Sequence, residues 1–327
     1  MKKYIPLFIL GLLILIYFIG PKTAKFDADD KLPAAKANFA EEVEFVYARD
    51  SQALVKSGNQ SFFVFADSIP QKRPVVVLYL HGFAASPFEG DPVHKWFAKQ
   101  YNLNLYVPRL AHHGLIGANA MLNLTANELW ESAKEAYVVA KALGDSVIIM
   151  GTSTGCTLAL MLAARYPEIK GLILLSPNIR IKDPAAFLLN NPWGLNIARL
   201  VVGSDSLSFN NEPEFGKYWY NSYRLEATAQ LQELVEKNMT EQTFANIHKP
   251  TLTLYYFKDK EHCDQMVNTE KIEWMHNQLA SSAVTKRLVN LTEGGDHILG
   301  NPIRSKDIAG VQREIQSFSQ EILNLKP

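Results

Sequence analysis

From residue 75 onward the chain alternates short apolar runs with amphipathic stretches. Val75–Leu80 (VVVLYL) is followed by similar runs at Leu103–Val107, Ser146–Met150, Gly171–Leu175 and Thr251–Phe257, and by a weaker one at Val284–Leu291. A short run without a polar side is the pattern of a strand covered on both faces. Helical patterns separate several of these runs, notably Asn127–Leu143 and Thr154–Tyr166. Strands alternating with helices imply right-handed βαβ units, and so an α/β fold whose mostly parallel central sheet is flanked by helices. Three earlier runs, Val43–Tyr47, Gln52–Lys56 and Ser61–Phe65, are short, β-favouring and joined by turn residues such as Ser57-Gly58-Asn59. They are expected as antiparallel edge strands or hairpins.

The alternation stops between Leu175 and Thr251. A structureless connection of that length is foreign to a compact domain, and pieces such as Pro184–Leu189 and Leu225–Asn238 suit helices. A helical cap insertion over about residues 180–249 is therefore expected. It is rich in aromatics: Phe187, Trp193, Phe215, Tyr218, Trp219, Tyr220 and Tyr223. These either pack the insertion onto the main domain or line a pocket for an acyl chain.

The chain opens differently. Tyr4–Gly20 is an uncharged run of 17 residues preceded by Lys2 and Lys3. As a helix it would reach roughly 26 Å, near the short end for a membrane span. The residues after it, PKTAKF, lack a small-x-small cleavage site, so an uncleaved signal anchor over residues 1–20 is expected rather than a removable signal peptide. Lys2 and Lys3 oppose Lys22 and Lys25 across the run; the reading adopted places the amino terminus in the cytoplasm and the main domain on the extracytoplasmic side. Residues 21–40, polar and without a hydrophobic period, are expected as a flexible linker, leaving residues 41–327 for the main domain.

Charge and cysteine content narrow the partners. Lysine plus arginine and aspartate plus glutamate number 33 each, which argues against a nucleic-acid partner. Cys156 and Cys263 are far apart and belong to no Cys/His cluster, so neither a zinc site nor a disulfide framework is indicated.

The candidate chemistry lies at the ends of the apolar runs. Gly151-Thr152-Ser153-Thr154-Gly155 follows a strand pattern and opens a helical one. In that context G-x-S-x-G forms a tight turn that lifts the serine above the sheet at a helix N-terminus, where developing negative charge is favoured. Ser153 is the candidate nucleophile. The run VVVLYL ends in His81-Gly82-Phe83-Ala84-Ala85-Ser86, and the backbone amides of Phe83 and Thr154 are the candidate oxyanion hole. His81 is expected to hold that loop by hydrogen bonds, and His112 and His113 to shape a nearby loop. A serine needs a base, and the base an orienting carboxylate, in the chain order Ser, Asp or Glu, His. His297, in Glu293-Gly294-Gly295-Asp296-His297-Ile298, satisfies that order. The acid is Asp264, where apolar Met266 and Val267 can anchor a turn back to the sheet, or Asp259, which lies nearer the strand between Lys258 and Lys260.

HGFAAS, PRLAHHG, GTSTG, the Asp264-Gln265-Met266-Val267 turn and GGDHILG together resemble the α/β-hydrolase superfamily, within it the monoacylglycerol lipase, carboxylesterase and serine aminopeptidase-like group. The resemblance favours Asp264 as the acid. It departs in the threonines that flank Ser153 and in a long acid loop. What it implies is an α/β-hydrolase fold and hydrolysis of small-molecule carboxylic esters, acylglycerols or similar acyl esters, through an acyl-enzyme with no cofactor or metal. Peptidases and thioesterases share the fold, and Glu212, Glu214 and Glu226 could hold a peptidase substrate's amine. A non-catalytic, membrane-tethered lipid-binding protein is the remaining alternative, although no triad member is missing.

Overall fold

The computed structural model describes residues 5–117 and 119–327. The first half runs α1 (Ile5–Phe18), α2 (Phe39–Ser51), β1 (Phe62–Val64), β2 (Arg73–Leu80), α3 (Val93–Gln100), β3 (Asn104–Val107), α4 (Ala126–Leu143), β4 (Gly144–Thr152), α5 (Thr154–Arg165) and β5 (Ile169–Leu175). The second runs α6 (Gly194–Val202), β6 (Ser206–Ser208), α7 (Pro213–Tyr218), β7 (Ser222–Arg224), α8 (Leu225–Asn238), α9 (Glu241–Ala245), β8 (Thr251–Tyr255), α10 (Thr269–Gln278), β9 (Lys286–Asn290) and α11 (Ile308–Glu321). Among the described residues one sheet has seven strands in the order β1-β3-β2-β4-β5-β8-β9, all parallel except β1, which is antiparallel to β3 at the edge.

The unbroken apolar runs follow from a core on each face of the sheet. Along β2, Val76, Leu78 and Leu80 pack with Trp130 and Tyr137 of α4 and Leu158 and Leu162 of α5. Val77 and Tyr79 point the other way, to Phe97 of α3 and to Val311, Ile315 and Phe318 of α11. Each large apolar side chain fully buried in these layers stabilises the fold by about 1.5–3 kcal/mol. The parallel direction brings the ends of β2, β4, β5, β8 and β9 to one edge, through the pairs Leu80–Gly151, Thr152–Leu175, Leu175–Leu254 and Tyr255–Asn290. Gly82, Ser153, Asp264 and His297 all lie on connections that leave this edge.

The insertion between β5 and β8 contains α6, α7, α8 and α9 together with the small antiparallel hairpin β6–β7. Pro184–Leu188 forms a short 3-10 helix.

The amino-terminal region departs from the sequence-based reading in three ways. First, the expected membrane anchor over residues 1–20 is corrected. Helix α1 spans 14 residues, about 21 Å against the roughly 30 Å of a bilayer core. Among the described residues no helix is long and apolar enough to cross a membrane. The extracytoplasmic placement of the main domain loses its basis with the anchor. Lys2, Lys3 and Tyr4 lie outside the described residues.

Second, Val43–Tyr47 is not a strand but part of α2. The Asn38 side chain caps this helix by accepting the Glu41 amide, and Glu41 and Glu42 lie in the first turn, where the helix dipole favours acids. Glu42, Val46 and Asp50, the buried positions, follow helical spacing; the local V-E-F-V-Y alternation misleads. Gln52–Lys56 pairs only through a bridge between Val55 and Leu115, and Phe62–Val64 alone of the three early runs becomes a strand.

Third, residues 21–31, within the expected flexible linker, form a bonded strap. On the insertion side, Pro21 O accepts the Trp193 amide, Thr23 Oγ1 donates to Leu189 O, and Lys25 and the Phe26 amide bind the Glu233 carboxylate at 2.9 and 3.0 Å. On the sheet side, Trp130 Nε1 donates to Asp29 O, Lys134 Nζ to Asp29 O and Lys31 O, and the Tyr166 hydroxyl to Asp30 O. Phe26, Ala28 and Leu32 pack against the core.

Candidate active site

Ser153 sits between β4 and α5 with φ 53° and ψ −117°, a conformation that non-glycine residues rarely adopt and that is costly to hold. The surrounding backbone fixes it: the Ser153 amide donates to Leu175 O at 3.0 Å, and its carbonyl accepts the Asn178 amide at 3.1 Å and the Cys156 amide at 2.9 Å. Glycine is required at residue 155, because a Cβ there would run into the Leu80 carbonyl, where α5 leaves over the end of β2. The Thr154 amide opens α5, where the first N–H groups have no intrahelical acceptor.

The loop after β2 lies directly against this turn. A Cβ on Gly82 would come within 3.2 Å of Ser153 Cβ and 3.0 Å of Glu89 Oε1, so the segment entering Phe83 passes next to the serine. His81 is fully buried, and its Nε2 accepts the Leu110 amide at 3.1 Å. Its Nδ1–H then donates to Gly82 O at 2.9 Å. Burial pushes His81 down to about 4, so it stays neutral and ties this loop to the next, as expected from sequence. His113 is buried edge-on to His81 and Phe83, whereas His112 turns away to Glu128.

Asp264 and His297 meet. His297 Nδ1 lies 2.6 Å from Asp264 Oδ2, while Asp264 Oδ1 accepts the amides of Met266 at 2.8 Å and Val267 at 3.1 Å. The long acid loop is an excursion closed by the Phe257–Cys263 bridge, after which the Asp264 amide returns to Tyr256 O. Lys182 closes it from outside, donating to Asp264 O at 2.6 Å and to Cys263 Sγ at 3.2 Å. Asp259 remains on that excursion, exposed, and binds His262 Nδ1 at 2.9 Å. It is not brought to His297. Burial alone would push the His297 imidazole down, but the charge and hydrogen bond of Asp264 outweigh it and hold His297 above its ordinary value.

The aromatics of the insertion divide. Tyr223 meets Phe83 edge-on at 5.2 Å, the Tyr220 amide donates to Ala84 O at 2.8 Å, and Tyr218 stacks on Phe88 at 3.8 Å. Trp219 stacks on Phe215 and donates to Glu89 Oε1 at 3.3 Å. These cover the loop beside Ser153. Phe187 is exposed, and Trp193 binds residues 16 and 21. Glu226 is held by Arg199 and Arg224, and Glu214 is exposed beside Lys217. Glu89 is the residue that sequence reasoning missed; the one signal available was an acid placed seven residues beyond an H-G turn.

No family model matches the chain. In sequence it is 30% identical over 135 residues to a thermostable monoacylglycerol lipase of Bacillus sp. strain H-257, a match covering 41% of this chain and 51% of that protein. The chain thus spans about half the length of this curated relative. Among solved structures it is similar to one reported for the metagenome-derived lipolytic enzymes LipS and LipT, with a TM-score of 0.65 and 20% identity over 81% of this chain and 99% of that one. A soluble variant of the monoglyceride lipase of Saccharomyces cerevisiae gives a TM-score of 0.55 and 15% identity over 81% and 91% of the two chains. A thermophilic esterase of Thermogutta terrifontis gives 0.52 and 19% over 82% and 97%. The chain therefore has the α/β-hydrolase fold, the one that its sequence motifs imply.

Proposed function

We propose that this protein is a serine hydrolase of carboxylic esters that works through an acyl-enzyme. Ser153 attacks the ester carbonyl, and His297 takes the hydroxyl proton and returns it to the leaving alcohol. Asp264 fixes the imidazole tautomer and stabilises the cation that forms. The Phe83 and Thr154 amides receive the oxyanion, and water then releases the acid. The observation that carries this reading is the 2.6 Å contact between His297 Nδ1 and Asp264 Oδ2 at the sheet edge where Ser153 occupies its strained turn. The main domain runs from about residue 41, with the insertion of about residues 180–249 as its cap.

The substrate class proposed is an acyl ester of a small alcohol, in the manner of a monoacylglycerol. The lipolytic names of the relatives support it, as do the apolar faces that Phe83 and Tyr223 bring to the serine loop. The test pairs fluorophosphonate labelling with a p-nitrophenyl ester series of increasing chain length. The parent should label and turn over, preferring chains of six carbons or more, while Ser153→Ala should not label and should lose on the order of 10⁶ in kcat. More than a few per cent residual activity in Ser153→Ala would sink the assignment. Preference for aminoacyl amides or thioesters in the same panel would move the substrate class.

A further inference from the structure

Glu89 belongs to none of the roles above, yet its carboxyl stands among them. It lies on the 3-10 turn Pro87–Gly90 that follows the Gly82 loop, and it is 2% exposed. Its Oε2 accepts the Gly82 amide at 2.6 Å. A Cβ on the same glycine would touch both the Glu89 carboxyl and Ser153 Cβ, so the nucleophile and the buried acid meet at Gly82. From β2, the Tyr79 hydroxyl donates to Oε2 at 3.4 Å; from the insertion, Trp219 Nε1 donates to Oε1 at 3.3 Å. Tyr79 on β2, Cys156 on α5 and His297 on the loop after β9 are the titratable groups near enough for charge to act between them and Glu89, while the insertion presents the neutral Trp219.

We propose that Glu89 is a positioning residue that fixes the oxyanion loop through the Gly82 amide and directs negative charge at the His297 imidazolium. The proposal rests on the serine-hydrolase reading and adds a fourth group to it. Burying a carboxyl group is costly unless donors satisfy it, and here the donors come from the sheet, the loop and the insertion together. The ionised carboxyl accepts from all of them. Its charge also acts on His297, whose positive charge appears only as the proton leaves Ser153, so the attraction is stronger in the transition state than before it. Burial pushes Glu89 up to about 7, against the opposing pull of the Gly82 amide, the Trp219 indole and His297. The group therefore changes charge close to neutrality, next to a base that does the same.

The test is the pH profile of kcat/KM with a p-nitrophenyl ester for the parent, Glu89→Gln and Glu89→Asp. Glutamine keeps the shape and removes the charge. A 10- to 100-fold loss of kcat with KM changed less than threefold is expected, and the acid limb should shift to lower pH because His297 loses a neighbouring anion. Glu89→Asp, which keeps a carboxyl, should recover part of kcat and return the acid limb towards the parent position. Unchanged kcat and an unmoved acid limb in Glu89→Gln would overturn the proposal while leaving the hydrolase reading intact. If the glutamine variant does not fold, Glu89→Met, of similar length and uncharged, decides: an acid limb moved to lower pH supports the proposal and an unmoved one overturns it. A parent without turnover or fluorophosphonate labelling would overturn the hydrolase reading, and this proposal with it.

Discussion

Asp264 holds His297 with one carboxylate oxygen and two backbone amides with the other. This division determines what an amide replacement would do. In Asp264→Asn the Met266 and Val267 N–H groups require the side-chain oxygen on their side, so the NH2 must face His297. The imidazole then carries its proton on Nε2, the atom that should accept from Ser153. The expected loss is roughly 10⁴ in kcat, as for the corresponding change in a well-studied serine protease. Asp259→Asn, whose partner is His262, should stay within threefold. Steady-state kinetics on both variants checks the ranking, and the reverse order would refute it.

Activity should fall on the acid side at a pH above the ordinary histidine value of about 6.5. Only neutral His297 can accept a proton, and Asp264 keeps the cation stable to higher pH, against the effect of burial. As pH drops through that raised value the base is lost. A kcat/KM profile with its acid midpoint below 6 would contradict the contact with Asp264.

Gly155→Ala should destabilise the fold by about 3 kcal/mol, at the upper end of overpacking costs, because the obstacle is backbone rather than a mobile side chain. Labelling of Ser153 should fall with it. Urea unfolding of the variant measures the first effect, and a change below 0.5 kcal/mol would mean that the strand and helix can separate there.

Lys134 is almost fully buried, and its ammonium holds the strap at Asp29 O and Lys31 O. Lys134→Met leaves Lys31 O without its donor and Asp29 O with Trp130 Nε1 alone, at a cost of about 1–3 kcal/mol. Limited proteolysis should then cut between residues 21 and 38, where the parent resists. Identical digestion patterns would show that the remaining strap contacts suffice.

The sheet and the candidate site were legible in the sequence for the same reason. Runs such as VVVLYL are apolar at every position because Val76 and Val77 serve opposite cores, and each run ends in a short motif that its direction carries to one edge. Asp264 was harder to identify, since the loop length between Phe257 and Cys263 hides the bridge that returns it to the sheet. The amino-terminal residues misled for two distinct reasons. In α2 a five-residue alternation outweighed the Asn38 cap and a longer helical stripe, and in the strap polarity was read as flexibility. Lys25, Asp29 and Lys31 are polar, but the partners that order the strap lie more than 70 residues away. Helix α11 was overlooked although Ile308, Val311, Ile315 and Phe318 keep helical spacing. Glu89 could not be recognised because its meaning depends on burial, which a lone acid in a loop does not announce.

The strap also limits how the covering insertion can move. A flap joined to its frame only where its two chain ends enter could swing about the line between them. Here the insertion is also attached from Leu189, Trp193 and Glu233 through residues 21–31 to Trp130 and Lys134. A flap pinned between its ends resists swinging as one body. Admission to Ser153 then falls to local rearrangement of segments such as residues 215–223, which belongs to the nanosecond-to-microsecond range of loops rather than the microsecond-to-millisecond range of hinged domains.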